Sequence, residues 1–539
     1  MMSDTASANV ARFLAVQARE QPAACALKAP LGRDSSGNIL YEDISFSDLH
    51  AQSEQVAHGL TARGIRAGTR VLLMVRPGSD LIRCCFALFK VGAVPVVIDP
   101  GMGLRHFLAC VKRTRPEALL GIPLAHWISR IFPGSFKTLN DRIQVESRFA
   151  DWYGEYPEDG FPTADRGADD LAAILFTSGS TGPPKGVCYG HGQFDSQVNL
   201  VRESFDIKPG EVDLPMLPVF ALFNPALGMT TVVPEINPGK PASVQPSRIV
   251  QAIEQCGVTN SFGAPILWAK IADYLEENGK ECPTVKRILM AGAPVSPGLV
   301  KRMQPCFPKA TMWSPYGATE CLPVSAVDGA TILQVGASKT VSGHGTCVGS
   351  AVSGVQIRII RIVDGPIKSL DQAEVLSNGE IGEILATGPS VTKSYDALPE
   401  ATQRAKIVDG QGETWHRMGD AGYLDEDGLL WFCGRIAERV HTRDGVLYSD
   451  CCEGIFNALP GVRRSALIGL GKAPEQVPAI VIDPVPGQTP GAAGVLEQAS
   501  KFELTRSIKI VFFNRKFPVD VRHNAKINRI TLAMRYQKR

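Results

Sequence analysis

The sequence predicts an α/β protein, with a large N-terminal domain of α/β layers, a β-rich subdomain, and a small mobile α+β domain at the C-terminus. Three observations predict it. Short apolar segments alternate with amphipathic helical stretches through the first half of the chain, the pattern of layered parallel strands. Beyond about residue 345, glycines, turns and short alternating segments replace that pattern. The chain has 539 residues, more than one ordinary core accommodates. The expected division is 1–435, with the β-rich part at about 345–435, and 436–539.

The elements follow in order. Apolar residues at helical spacing over 8–20, stopped by Gln21-Pro22, predict the first helix. Residues 45–64 predict a second, with Ser45 or Ser47 as cap. A buried strand at 69–75, a helix at 80–91 and a strand at 94–98 come next, the last closed by Asp99-Pro100-Gly101. The strand at 171–176 leads into a Gly-rich loop and then a helix over 196–205. Helix, strand, helix and strand are expected at 247–255, 260–262, 265–276 and 288–291. Pro265 suits the first helical position, where no backbone N–H is needed. Strands at 355–363 and 380–387 mark the β-rich part. Strands at 466–470 and 479–482, then a Pro/Gly-rich linker at 484–494, belong to the terminal unit. No internal repeat or long low-complexity tract is present.

Composition excludes several classes of function. Hydrophobic residues make up 44% and charged residues 20%, with a net charge of +2. Neither nucleic acid nor an acidic membrane is expected as the main partner on that balance. The 13 cysteines have no C-x-x-C spacing, and the nine histidines have no H-x-x-x-H pair. Zinc and dithiol-redox chemistry therefore have little support, and scattered reduced thiols are expected. The start, Met1-Met2-Ser3-Asp4, lacks a basic patch followed by an apolar core. The most apolar runs, 71–75 and 94–98, are too short to span a bilayer. The expectation is a cytoplasmic enzyme without an integral membrane segment.

The most informative string follows the strand at 171–176. It reads Thr177-Ser178-Gly179-Ser180-Thr181-Gly182-Pro183-Pro184-Lys185-Gly186. Glycines let backbone N–H groups approach phosphates, hydroxyls add donors, and Lys185 adds charge. It is not a Walker A loop, because Lys185 is followed by Gly186 rather than Ser or Thr. This string closely resembles the phosphate signature of the adenylate-forming superfamily of acyl-CoA synthetases, peptide-synthetase adenylation domains and luciferases. The resemblance recurs in the right order along most of the chain, and it implies ATP and Mg²⁺.

Gly292-Ala293-Pro294 resembles the family's segment beside the adenine. Tyr316-Gly317-Ala318-Thr319-Glu320 resembles its Y-G-x-T-E. The resemblance implies that Tyr316 stacks on adenine, Thr319 meets the α-phosphate and Glu320 holds Mg²⁺, a hard cation that favours carboxylate and phosphate oxygens. Trp415-His416-Arg417-Met418-Gly419-Asp420 resembles W-x-x-T-G-D, which assigns the ribose hydroxyls to Asp420. Gly434-Arg435 matches the family's G-R, so Arg435 would reach ribose or phosphate. Lys526, in Arg522-His523-Asn524-Ala525-Lys526-Ile527, stands where the family keeps its adenylation lysine. Read without the resemblance, Lys526 is a surface lysine in a basic tail with Arg515, Lys516 and Arg529.

The departures narrow the reaction. Ala437 replaces the usual Asp or Lys at the interdomain hinge. His441, Asp444, Ser449 and Cys451 stand where CoA ligases carry Lys, Gly, Pro and Glu. Asp444 would put bulk and charge where glycine lets a pantetheine arm pass, and Gly445 next to it could restore the glycine by a slip of one residue. Ala221 replaces a His near the acyl pocket. These departures, with the R-H-N-x-K-I ending and the segment 220–228 (FALFNPALG), resemble the β-lactone synthetases of bacterial long-chain olefin biosynthesis. That resemblance implies a long-chain 2-alkyl-3-hydroxy acid as substrate, whose own 3-hydroxyl displaces AMP. His191 and His523 are candidate bases by residue type only. Association with other enzymes of the olefin pathway stays open, and a long-chain acyl-CoA ligase is the alternative.

Overall fold

A computed structural model describes residues 7–145, 149, 151–152, 155–177, 183–217, 221–237, 243–488, 490–519 and 526–537. Two large sheets dominate it. The first places, in order, the strands Ser394–Tyr395, Lys185–Gly190, Leu171–Thr177, Val94–Val97, Arg70–Met74, Ala118–Gly121 and Asp141–Gln144. Its pairs from Leu171–Thr177 to Asp141–Gln144 are parallel. The helices Ser79–Val91, Leu104–Thr114 and Pro123–Ile131 make the crossovers. These strands are nearly continuous runs of Val, Leu and Ile, as sheets covered on both faces require.

The second sheet contains a parallel run through Thr230–Val232, Val212–Pro215, Asn260–Gly263, Arg287–Met290 and Thr311–Ala318. Thr311–Ala318 then turns back into Cys321–Asp328. From there the same sheet continues antiparallel through Thr346–Ala351, Leu430–Arg435, Thr414–Leu424, Gly382–Thr387 and Gln356–Ile360. Pairing switches from parallel to antiparallel at Thr311–Ala318 and Cys321–Asp328, so the change of texture near residue 345 falls within the antiparallel part of one continuous sheet.

The chain from Val440 onward forms a two-stranded ribbon, Val440–Thr442 with Gly445–Leu447, and a sheet of Val462–Leu470, Val477–Pro484 and Ile510–Phe513. The helix Ser449–Asn457 packs back on Leu430–Arg435. Cys451 shares a core cluster with Cys433, and a Cβ at Gly434 would lie 2.3 Å from the Ser449 hydroxyl. Gly434 takes φ +131°, which also favours glycine.

One local reading needs correction, and two others are sharpened. The Gly-rich loop does not lead straight into a helix: the strand Lys185–Gly190 intervenes, and the helix spans His191–Ser204. Val187 and Tyr189 are buried, so this strand has a core face that a short run after two prolines conceals. The Pro/Gly-rich segment 484–494 connects the strand Val477–Pro484 to the helix Ala492–Ser500 within the terminal unit. Of the two cap candidates, Ser45 acts: its hydroxyl accepts the Asp48 N–H at 3.0 Å, and Asp48 accepts the Ser45 N–H at 3.2 Å. Such a box contributes about 1 kcal/mol.

Candidate active site

The phosphate loop is the connection of a hairpin. Leu171–Thr177 and Lys185–Gly190 pair antiparallel as far as Thr177 opposite Lys185. The loop therefore leaves the carboxyl edge of the first sheet and returns to it. Ser178, Gly179, Ser180, Thr181 and Gly182 lie outside the described residues, as does the Thr177 side chain. The Lys185 ammonium sits 4.8 Å from the centre of the Tyr395 ring.

The hairpin of Thr311–Ala318 and Cys321–Asp328 supplies the next group. Ala318 pairs with Cys321, so Thr319 and Glu320 form the turn. Gly317 is needed for this closure, because a Cβ there would come within 2.6 Å of the Cys321 carbonyl oxygen. The buried Tyr189 hydroxyl donates to the Thr319 carbonyl. Glu320 is held at both ends. Its carbonyl oxygen accepts from Thr392 N at 2.9 Å and Thr392 Oγ1 at 3.1 Å. Its carboxylate accepts the Tyr395 hydroxyl at 2.7 Å. Burial, and then the Glu320 charge, push the Tyr395 phenol well up, which keeps it a donor.

Lys406 lies behind Thr392. It is 7% exposed, and its ammonium donates to Thr392 Oγ1 at 3.3 Å. Burial lowers it to about 8, against the pull of Glu320. This buried cation orders the threonine that in turn fixes the Glu320 backbone.

Asp420 and Arg435 face each other on paired strands. Arg435 Nε lies 3.1 Å from Asp420 Oδ1, and the Tyr316 hydroxyl donates to Asp420 Oδ2 at 2.8 Å. The Asp420 charge raises Arg435 further, outweighing its burial. Asp420 is 4% exposed, and its Oδ1 accepts no hydrogen bond among the described residues. The Arg435 guanidinium compensates the charge of this oxygen, but not in hydrogen-bond geometry, which leaves room for a further donor. A ribose hydroxyl would satisfy it, so the residues present fit a nucleotide. Gly292, Ala293 and Pro294 follow Arg287–Met290, the strand beside Thr311–Ala318, and so lie near Tyr316. Among the described residues no group of three or more His, Cys, Asp or Glu gathers to hold a metal. A cation at Glu320 would complete its shell with phosphate oxygens, which suits Mg²⁺.

A small apolar pocket is lined by Ala221, Pro215, Leu81 and Ile82. Pro215 pairs with Phe262, and Gly263 with Met290. The pocket thus lies two strand spacings, about 10 Å, from the segment at Gly292. Asn224, just after Ala221, donates to the buried Asp213 at 2.8 Å. Burial pushes Asp213 up to about 7.

Lys526 is exposed on the C-terminal unit. Arg529, three residues on, is not part of a basic tail. It is half-buried between two carboxylates, with bonds of 2.6 Å twice to Glu453 and 2.7 Å to Glu438. His523 lies outside the described residues.

His191 is 1% exposed and accepts the Val10 N–H at 3.3 Å. Its burial removes it as a base for a bound acid. It secures the start of the helix after the phosphate hairpin. Burial, then the Arg166 charge, with Arg12 adding and Asp170 opposing, push it down to about 4. An unfolded histidine titrates near ~6.5. As pH falls from that value towards 4, the unfolded chain binds a proton that the folded chain refuses, so stability is lost. His191→Gln should therefore flatten the fall of the urea midpoint over this window. An unchanged slope in the variant would place the acid sensitivity elsewhere, with the equally buried His416 as the next candidate.

Residues 14–396 match the family model described as AMP-binding enzyme. The chain belongs to the AMP-binding enzyme family. Asp420, Arg435 and Lys526 lie beyond the matched segment, but near-full-length relatives extend the likeness over them. The chain is 42% identical over 549 residues to an olefin beta-lactone synthetase of Xanthomonas campestris pv. campestris, covering 98% of each. It is 42% identical to another of Stenotrophomonas maltophilia, covering 98% of this chain and 97% of the relative. Against a long-chain-fatty-acid–CoA ligase of Thermus thermophilus the identity is 24%, over 79% of this chain and 78% of the relative. Among solved structures, ATP-bound MatB from Rhodopseudomonas palustris superposes with a TM-score of 0.80 at 23% identity over 99% of both chains. That likeness shows the fold.

The sequence did not reveal every member of this candidate site. Tyr395, Lys406 and Arg529 carry no signal of their own. Tyr395 ends a two-residue strand, Lys406 opens a three-residue one, and burial of a charge is invisible in composition.

Proposed function

We infer that this AMP-binding enzyme activates a long-chain 2-alkyl-3-hydroxy acid and closes it to a β-lactone. The observation that carries the reading is the near-full-length 42% identity to olefin beta-lactone synthetases. It is supported by the contacts among Tyr316, Asp420 and Arg435, by the fixing of Glu320 by Tyr395 and Thr392, and by the altered CoA-ligase pattern. A carboxylate oxygen of the acid attacks the α-phosphorus of ATP, and pyrophosphate leaves. The 3-hydroxyl oxygen then attacks the acyl carbon of the adenylate, AMP leaves, and the hydroxyl proton is released. Intramolecular attack carries a large proximity advantage, up to about 10⁵–10⁸ M in effective molarity. Ring strain opposes it, and the mixed anhydride offsets that strain.

In this reading Asp420 and Arg435 hold the ribose, Tyr316 and the segment Gly292, Ala293 and Pro294 flank the adenine, and Thr319 meets the α-phosphate. Residues Thr177 to Gly182, with Lys185, cradle the β- and γ-phosphates. Glu320, fixed by Tyr395 and Thr392, would hold Mg²⁺, which neutralises phosphate charge. Lys526 reaches the carboxylate and the α-phosphate from a C-terminal unit that begins at 436. The apolar pocket at Ala221 takes an alkyl chain. Asp444 stands exposed at the ribbon tip, with Gly445 adopting φ +138° beside it. The acidic side chain sits where a pantetheine arm would pass in a CoA ligase. A cytoplasmic location, and association with other enzymes of an olefin pathway, belong to the same reading.

The test is the product formed from ATP and a synthetic 2-alkyl-3-hydroxy acid, followed by NMR with and without CoA. The expected result is one β-lactone per AMP, at the same rate in both. Strict dependence of AMP release on CoA would overturn the lactone reading in favour of an acyl-CoA ligase.

A further inference from the structure

The whole-chain charge of +2 conceals an uneven distribution. Residues 101–140 carry six basic side chains, Arg105, Lys112, Arg113, Arg115, Arg130 and Lys137, against one acid, Glu117. All but Arg113 are exposed. Glu117 is tied to the Arg70 backbone N–H, at the amino end of that strand.

Two helices of this segment, Leu104–Thr114 and Pro123–Ile131, cover one face of the first sheet. Phe107, Cys110 and Val111 share a core cluster with Ala125 and Ile128. Pro123–Ile131 turns Ala125, His126 and Ser129 inward. Its outer side presents Leu124 (57% exposed), Trp127 (60%) and Ile131 (44%). At 3.6 residues per turn these three fall within an arc of about 60°. Single exposed apolar residues are ordinary; a stripe of three on one helix is not. Leu104, 49% exposed, opens the neighbouring helix beside Arg105.

The start of the Pro123–Ile131 helix adjoins a pocket that neighbours the one at Ala221. The pocket at Ala221 shares Pro77 and Gly78 with a second pocket. The second is lined by Val75, Val145 and Ile122 together with the polar Arg76, Ser79 and Asp80, and Ile122 immediately precedes Pro123–Ile131.

We propose that the Pro123–Ile131 helix, with Leu104 and the cations around it, docks the protein onto the surface of an anionic lipid bilayer. An amphipathic helix binds such a surface by laying its apolar side among the acyl chains while basic side chains meet the headgroups. Trp127 has the amphipathic ring that favours this boundary. Charge complementarity selects an anionic bilayer over a neutral one. Delivery of a water-insoluble acid from that surface to the pocket at Ala221 rests on the substrate inferred above; the docking itself does not.

The test is flotation of the full chain with vesicles of phosphatidylcholine alone, or mixed with phosphatidylglycerol. The expected result is binding to the mixed vesicles, on the order of tenfold weaker to phosphatidylcholine and weakened by salt. The variant Leu124→Ser/Trp127→Ser/Ile131→Ser should bind at least about tenfold less, with ATP–pyrophosphate exchange on a water-soluble 3-hydroxy acid unchanged. Should that variant fold poorly, Arg130→Glu/Lys137→Glu gives the same readout through charge alone. Absence of flotation with either vesicle overturns the proposal, as does equal flotation of the parent and both variants. A self-association that the serine variant abolishes, without vesicle binding, would make the face a contact between copies and also overturn it. Flotation needs no turnover, so its failure is distinct from failure of the lactone reading.

Discussion

Lys526→Ala should lower ATP–pyrophosphate exchange by roughly 10²–10³-fold, the loss seen when one preorganised charge-stabilising donor is removed, about 3–4 kcal/mol. As the carboxylate attacks, negative charge builds on the α-phosphate oxygens and on the departing pyrophosphate. A lysine that meets both the carboxylate and the α-phosphate stabilises that charge more than it stabilises bound ATP, so the effect falls on kcat rather than KM. Lys526 is exposed on the C-terminal unit, and its removal leaves no buried hole. The urea midpoint should therefore not move. Synthetic acyl-adenylate bypasses the pyrophosphate step, and the variant should close it to lactone at close to the parent rate. Exchange at the parent rate in Lys526→Ala would remove the lysine from the adenylation chemistry.

Arg529→Met should act on both stability and activity. Arg529 meets Glu453 through two parallel bonds of 2.6 Å and Glu438 through a third of 2.7 Å. The side chains of Glu453 and Glu438 are 7% and 4% exposed. Removing the cation leaves two buried carboxylates uncompensated, at a cost of about 3–5 kcal/mol. Glu438 closes the short turn Ile436–Glu438 directly after Arg435, and Glu453 lies on Ser449–Asn457. Arg529 begins the last helix, three residues beyond Lys526. The guanidinium therefore ties the connection between the units to the segment that presents Lys526. Arg529→Met should lower the urea midpoint and speed proteolysis beyond residue 436, with exchange falling as well. Arg529→Lys should recover only part, because an ammonium cannot make the bidentate contact. A parent-like midpoint for Arg529→Met would show that the carboxylates find other partners.

Much of the fold was legible because local pattern and tertiary environment agree. Val94–Val97 and Arg70–Met74 read as buried strands and are central parallel strands. Pro265 starts a helix as its missing N–H predicts. Reading failed where a short segment has two local solutions. Lys185–Gly190 carries alternation too brief to separate from loop, and only its pairing with Leu171–Thr177 makes it a strand. The turn at Thr319 and Glu320 shows the same limit, because a hairpin and a helix cap begin alike until the partner strand is known.

The sequence by itself determined the chemistry. Strings such as 177–186 and 316–320 carry their meaning in residue type and spacing, since phosphate needs N–H groups and hydroxyls, and a nucleotide needs carboxylates at set intervals. It also determined the family and the altered positions Ala221, Ala437 and Asp444. The tertiary structure alone decided which charges support that chemistry. Tyr395 reaches Glu320 across 75 residues, Asp420 meets Tyr316 across 104, and Arg529 meets Glu438 across 91. Burial gives these pairs their strength, because a charge excluded from water must find its partner inside the fold. That burial is a property of packed strands and helices, and no local stretch of sequence contains it.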